Sequence, residues 1–181
     1  MVKLKILQIL ETVMLVILIV LPVRLFLFEP FFVLGDSMLP SYESYDYLII
    51  EKISYRFKEP ERGDVIIFHP PVNPKVYYIK RIIGLPNETI KIKDGQIDVM
   101  SPAQPKGFTL TEPYLVNKLT PGDYESQLGS DNYFVLGDNR LESYDSRRWG
   151  PISKKQISGR VLTRVVPLKA VVKLIKIGLA R

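Results

Sequence analysis

The sequence predicts a mainly β fold: an antiparallel β body behind a single N-terminal transmembrane helix. Three observations carry this. An apolar stretch runs from Ile6 to Phe28, broken by Gln8, Glu11 and Arg24. Beyond it, short runs rich in β-branched and aromatic residues alternate with Gly, Pro and Asp turns, the pattern of strands in a barrel or sandwich. Helix signals are scarce away from the two ends of the chain, and no internal repeat is visible.

The anchor comes first. The uncharged run Thr12–Val23 has 12 residues, short of the roughly 20 that span a bilayer. Extended to Phe28 the segment is long enough, with Glu11 and Arg24 near its ends and Arg24 able to snorkel. A cleaved signal peptide is the competing reading. The stretch Leu25-Phe26-Leu27-Phe28-Glu29-Pro30 offers no small-x-small cleavage pattern and favours an uncleaved anchor. Lys3 and Lys5 ahead of the span predict a cytoplasmic N-terminus, with the body on the trans side.

The strands follow in order. Asp46–Ile53, Val65–Phe68 (ended by Pro70-Pro71) and Val76–Ile83 read as strands. Glu88–Lys93 and Gln96–Met100 flank Asp94-Gly95, a pair suited to a primed hairpin turn. Tyr133–Leu136 and Arg160–Val166 complete the set. The expected organisation is an anchor over 1–28, a β domain over 29–168 and a tail over 169–181. Residues 101–131, rich in Pro and Gly, form an inserted loop or a small β extension. In the tail, Lys169, Lys173 and Lys176 make one helical stripe beside Val171, Val172, Leu174, Ile175, Ile177 and Leu179. That is a basic amphipathic helix, lying on a membrane surface or packed on the core with its lysines in water.

Composition narrows the chemistry. Of 181 residues, 46% are apolar, enough for a core. There is no cysteine, which excludes disulfides, thiolate metal sites and cysteine nucleophiles. His69 is the single histidine. A Ser-His-Asp triad must use it, and a zinc site must rest largely on carboxylates. The net charge of +6 points at first to nucleic acid. Its distribution argues otherwise. Residues 146–181 carry 10 Lys/Arg and no acid, whereas 1–145 carry 15 Lys/Arg against 19 acids. The basic character belongs to the tail and suits lipid headgroups. No nucleic-acid partner, metal or cofactor is expected.

Three segments hold the polar groups able to do chemistry. Gly35-Asp36-Ser37-Met38-Leu39-Pro40-Ser41 begins close behind the apolar span, and its Gly and Pro suggest an irregular turn that exposes the Ser37 hydroxyl. Taken alone, it also reads as an ordinary loop serine. In the strand Val76–Ile83, Lys80 shares a face with Val76, Tyr78 and Ile82. Buried there, its pKa falls from about 10.4 toward roughly 7–8, where a lysine acts as a general base. Arg81 lies on an equally apolar opposite face, so periodicity alone does not choose between them, and a snorkelling strand lysine is the plainer alternative. The third segment, Gly137 to Arg148, is dense in Asp, Asn, Ser and Arg. It reads as a surface loop, or as a cluster in which Asp145 and Arg147 pair and Ser143 and Ser146 orient a neighbour.

Read together, these segments resemble the type I signal peptidases, in the short form of cyanobacteria, plastids and Gram-positive bacteria. Ser37-Met38-Leu39-Pro40-Ser41 is similar to the family's serine box and Arg62-Gly63-Asp64-Val65 to an intermediate box. Lys80 to Glu88 is similar to the lysine box, and Gly137 to Arg147 to the last box. The boxes stand in the family's order, from the anchor to about Val166. The resemblance implies a signal-peptidase-like antiparallel β catalytic domain and a membrane-bound serine endopeptidase. It would remove signal peptides from exported preproteins, near the export channel of a plasma or thylakoid membrane. It implies Ser37 as nucleophile, Lys80 as general base, Ser143 as the serine that orients the lysine, and Asp145 and Arg147 as a supporting pair; Arg81 is structural and His69 has no role. Two positions depart from the pattern. Gly35 stands where many relatives carry a serine that lines the oxyanion hole, which shifts that work to a backbone N–H, foremost that of Ser37. Asn87 replaces a glycine, and asparagine tolerates left-handed backbone angles. The competing readings are a soluble self-cleaving Ser-Lys repressor-type protease, disfavoured by the span, and a non-catalytic membrane-anchored β adaptor or inactive paralogue, disfavoured by intact Ser37 and Lys80.

Overall fold

The computed structural model describes residues 2–22 and 27–165. Helix α1 (Val2–Pro22) has 21 residues, a rise of ~30 Å at 1.5 Å per residue. The stretch Lys5–Pro22 is apolar and long enough to cross a membrane, and none of it is buried against the body. A helix apolar on all sides and uncovered by protein matches the hydrocarbon of a bilayer. Arg24 and the basic segment 169–181 lie outside the described residues.

Eleven strands follow: β1 (Phe28–Phe32), β2 (Tyr47–Glu51), β3 (Val65–Phe68), β4 (Tyr78–Gly84), β5 (Thr89–Lys93), β6 (Gln96–Ser101), β7 (Gln104–Thr109), β8 (Tyr124–Gln127), β9 (Asn132–Leu136), β10 (Ile152–Ser153) and β11 (Ile157–Val165). A four-residue helix, α2 (Ser146–Trp149), precedes β10. Every strand pair is antiparallel. Phe28 pairs with Glu51 across β1 and β2, so the end of the apolar stretch belongs to the sheet rather than to the span. Apolarity alone does not separate the two, because an edge strand of phenylalanines continues the hydrophobic run.

The larger sheet has the order β1-β2-β11-β3-β4-β9-β10. Its central strands are buried on both faces, which the period of two sorts cleanly. Val65, Ile67 and Ile79 join Leu48, Ile50 and Met38 in one cluster. Ile66, Phe68 and Ile82 join Tyr133, Val135 and Ile152 in another. The smaller sheet has the order β7-β6-β5-β8. Its hairpin turns at Asp94-Gly95 with φ of 51° and 79°, the positive pair of a primed turn. Strands β7 and β8 come from the Pro/Gly-rich stretch 101–131. Ile83, Phe134 and Leu136 of the larger sheet pack with Ile90, Ile92, Ile97, Val99 and Leu128 to join the two. Strand β4 starts at Tyr78, two residues later than the sequence predicts, because the chain before it turns, with Val76 N–H bonded to Asn73 O.

Candidate active site

Beyond β1 the chain enters the turn that carries Ser37. Gly35 has φ of 95°, a left-handed conformation that suits glycine, and its N–H donates to Ser44 Oγ at 3.1 Å. Leu39 N–H bonds to Asp36 O and Tyr42 N–H to Met38 O. The fully buried Met38 side chain hooks this turn into the core, which leaves its neighbour Ser37 half-buried with its hydroxyl at a cleft.

Lys80 sits in mid-strand on β4, opposite Ile66 of β3, and is 4% exposed. Its Nζ lies 2.6 Å from Ser37 Oγ and 5.6 Å from the centre of the Tyr78 ring. Burial pushes the ammonium down to about pKa 8, opposed by the Asp145 and Asp138 carboxylates and assisted by Arg147. Among the described residues Lys80 forms no ion pair. Arg81, one residue on, does the opposite. It forks onto both oxygens of Asp138 at 2.8 and 2.6 Å and donates to Gly63 O.

The segment after β9 closes the back of the site. Asp145 caps α2, takes a fork from Arg147 at 2.8 and 2.9 Å and accepts from Gly137 N–H at 3.2 Å. Arg147 also donates to Arg140 O and Ser143 O. Asn139 N–H bonds to Ser37 O at 3.0 Å. Ser146 Oγ accepts from Val135 N–H at 3.0 Å. Ser143 Oγ packs beside Gly137, buried and without a hydrogen-bond partner. Ser37 and Lys80 are thus in contact, Asp145 and Arg147 are paired behind them, and Ser143 touches neither partner of the first pair by a hydrogen bond. Asn87 has φ of 64°, the left-handed angle its replacement of glycine requires. His69 packs on Tyr77.

A cleft of about 480 Å³ opens onto Ser37 and Lys80, walled by Phe31–Asp36 on one side, Tyr77–Ile79 on another, and Glu142 and Tyr144 at its edge. Beside Tyr78–Lys80, β4 pairs with β3 alone, since β9 joins only from Arg81 onward. An extended peptide can add along such a free edge. A buried amine near neutrality, in contact with a hydroxyl beside a peptide-sized cleft, is equipped for acyl transfer. Among the described residues no group of three or more His, Asp or Glu is placed to hold a metal.

Sequence reasoning left several residues here without a role: Asp138, Arg140, Glu112, Tyr114 and Thr120. Arg140 and Asp138 stood inside a recognisable polar segment. The other three are isolated polar residues in the Pro/Gly-rich stretch, with no periodicity to mark them.

The family model described as "Signal peptidase, peptidase S26" matches residues 6–166. A signal peptidase I of Leptolyngbya laminosa is 39% identical over 168 residues, covering 87% of this chain and 78% of the relative. A signal peptidase I of Bacillus caldolyticus is 37% identical, covering 83% and 86%. A crystal structure of a signal peptidase I from Enterococcus faecalis V583 shares 34% identity, covering 59% of this chain and 98% of that one, with a TM-score of 0.49.

Proposed function

This chain belongs to the signal peptidase family, peptidase S26, and from that premise we propose that it removes N-terminal signal peptides from exported preproteins by serine acyl transfer, with Ser37 as nucleophile and Lys80 as general base. The observation that carries the roles is the 2.6 Å contact between Lys80 Nζ and Ser37 Oγ at a lysine 4% exposed. Neutral Lys80 accepts the Ser37 proton as Oγ attacks the scissile carbonyl carbon. The resulting ammonium protonates the departing amine. Lys80 then takes a proton from the water that attacks the ester and returns it to Ser37 Oγ, releasing the acid. Among the described residues no hydrogen bond engages the Ser37 N–H, which leaves it for the oxyanion. Such a donor is worth roughly 3–4 kcal/mol in comparable sites. Gly35 shapes this turn, Asp145 and Arg147 brace the loop behind it, and Ser143 supports the lysine.

Helix α1 is the anchor, with its basic N-terminal end in the cytoplasm or stroma and the β domain, residues 29–168, on the trans side of a plasma or thylakoid membrane. Phe32 and Leu34 are exposed at the cleft and suit a site held against lipid, near the export channel from which preproteins emerge. The substrate carries small residues before the cut, as signal peptides do.

The test is cleavage of a purified preprotein by the full chain in lipid, alongside Ser37→Ala and Lys80→Ala. Cleavage at a small-x-small site by the wild type alone is expected. A preprotein cut equally by either variant would overturn the assignment of the pair.

A further inference from the structure

The stretch 112–121 reaches all three arginines that brace the site. Glu112 takes both Nη groups of Arg140, one at 2.7 Å, and Thr120 Oγ1 accepts from the same guanidinium. The Tyr114 ring covers the Arg81 guanidinium at 3.9 Å, and its hydroxyl donates to Glu112 Oε1 at 2.5 Å. Pro121 O accepts from Arg147 Nη1 at 3.2 Å. At its far side the stretch is tied to the smaller sheet, where Thr120 N–H bonds to Gly95 O at 2.8 Å.

Each arginine passes the contact inward. Arg140 Nε holds Gly137 O at 3.0 Å, Arg81 holds Asp138, and Arg147 holds Asp145. Gly137 and Asn139, on either side of Asp138, lie against the Ser37 carbonyl. No residue of 112–121 lines the cleft. The Arg140–Glu112 pair is 1% and 7% exposed on its two side chains. A pair so deep gains little net stability over an apolar equivalent, because desolvation offsets the attraction, yet it imposes one geometry.

We propose that 112–121 is a positioning strap for the reaction. Glu112 and Tyr114 act through Arg140 and Arg81 to set the height of Gly137–Asn139, and so the placement of Ser37 Oγ against Lys80. The smaller sheet is the mount for that strap. The inference rests on the peptidase reading above, and it assigns these residues to turnover and not to substrate binding.

The experiment compares full-length wild type, Glu112→Gln, Glu112→Asp, Tyr114→Leu and Arg140→Gln on one preprotein in lipid, with rates normalised to the folded fraction from near-UV circular dichroism. Glu112→Gln should lower kcat tenfold or more with KM within twofold, and Glu112→Asp should recover part of the loss. Tyr114→Leu, which leaves no buried charge unpaired, should also lower kcat alone. Glu112→Gln combined with Arg140→Gln should be no worse than the poorer single variant, because the two residues act as one unit. An active wild type with kcat per folded molecule unchanged in Glu112→Gln and Tyr114→Leu overturns the strap. An additive double variant does so too. A wild type that cleaves no preprotein overturns the peptidase reading instead.

Discussion

Gly137 lies so close against the main chain of Ser37 that a methyl group there would overlap the Ser37 carbonyl, and would sit 2.6 Å from Ser143 Cβ. The Ser37 carbonyl is backbone, which cannot swing aside as a side-chain tip does. Gly137→Ala should therefore leave the body folded but displace Ser37 by about 1 Å from Lys80. Misplacement of about 1 Å lowers rates by ~10²-fold, and a loss of that order in kcat/KM is expected at unchanged far-UV dichroism. A variant that keeps more than a tenth of wild-type activity would show the serine to be free of this packing.

The pH dependence follows from Lys80. With Lys80 as the proposed base, only the neutral amine accepts the serine proton, and burial sets its pKa near 8. Below that value kcat/KM should rise tenfold per pH unit and then level off above it. Asp145 pulls the pKa upward, so Asp145→Asn should move the rising limb to lower pH. A limb that stays near the ordinary lysine value in wild type would mean that Lys80 is not the base.

Stability should rise with pH too, but over a higher range. A lysine whose folded pKa lies below its unfolded one binds fewer protons when folded, so stability rises with pH between the two values, here from about 8 to 10.5. Below that window the buried ammonium costs roughly 3 kcal/mol. Lys80→Met, of similar volume, should melt higher than wild type at pH 7 in detergent, and its advantage should shrink steadily toward pH 10.5. An equal melting temperature at pH 7 would mean that Lys80 is hydrated.

What the sequence reveals and what it hides divide along the range of the interaction. Strands such as Val65–Phe68 and the Asp94-Gly95 hairpin were legible because period and turn chemistry are local. Ser37, Lys80, Asp145 and Arg147 were legible as members of ordered boxes. Periodicity did not separate Lys80 from Arg81, since both faces of β4 are apolar, and only the lysine box distinguished them. In the fold they differ by partners far along the chain, Asp138 for Arg81 and Ser37 for Lys80. Strand β1 was hidden because Phe28 continues the hydrophobic span without a break. Glu112 and Tyr114 were hidden for another reason. A lone acid and a lone aromatic among prolines announce nothing until the fold lays them on Arg140 and Arg81.

Ser143 provides the sharpest separation of stability from function. Its hydroxyl is buried and unpartnered, an arrangement that costs about 1–3 kcal/mol relative to a satisfied group. Replacing the hydroxyl by hydrogen removes that cost and adds little void, so Ser143→Ala should melt no lower than wild type and up to a few degrees higher. If the hydroxyl serves Lys80 during turnover, when the amine gives and takes protons, the same variant should lose roughly 10²-fold in kcat, the low end for a positioned proton-handling group. Its rising pH limb should shift as well, because the lysine loses a neighbour in one of its charge states. Thermal melting and a pH–rate profile on one preparation decide this. A variant that gains stability and keeps full kcat would make Ser143 a packing residue, and the support of Lys80 would then fall to Asp145 and Arg147 alone.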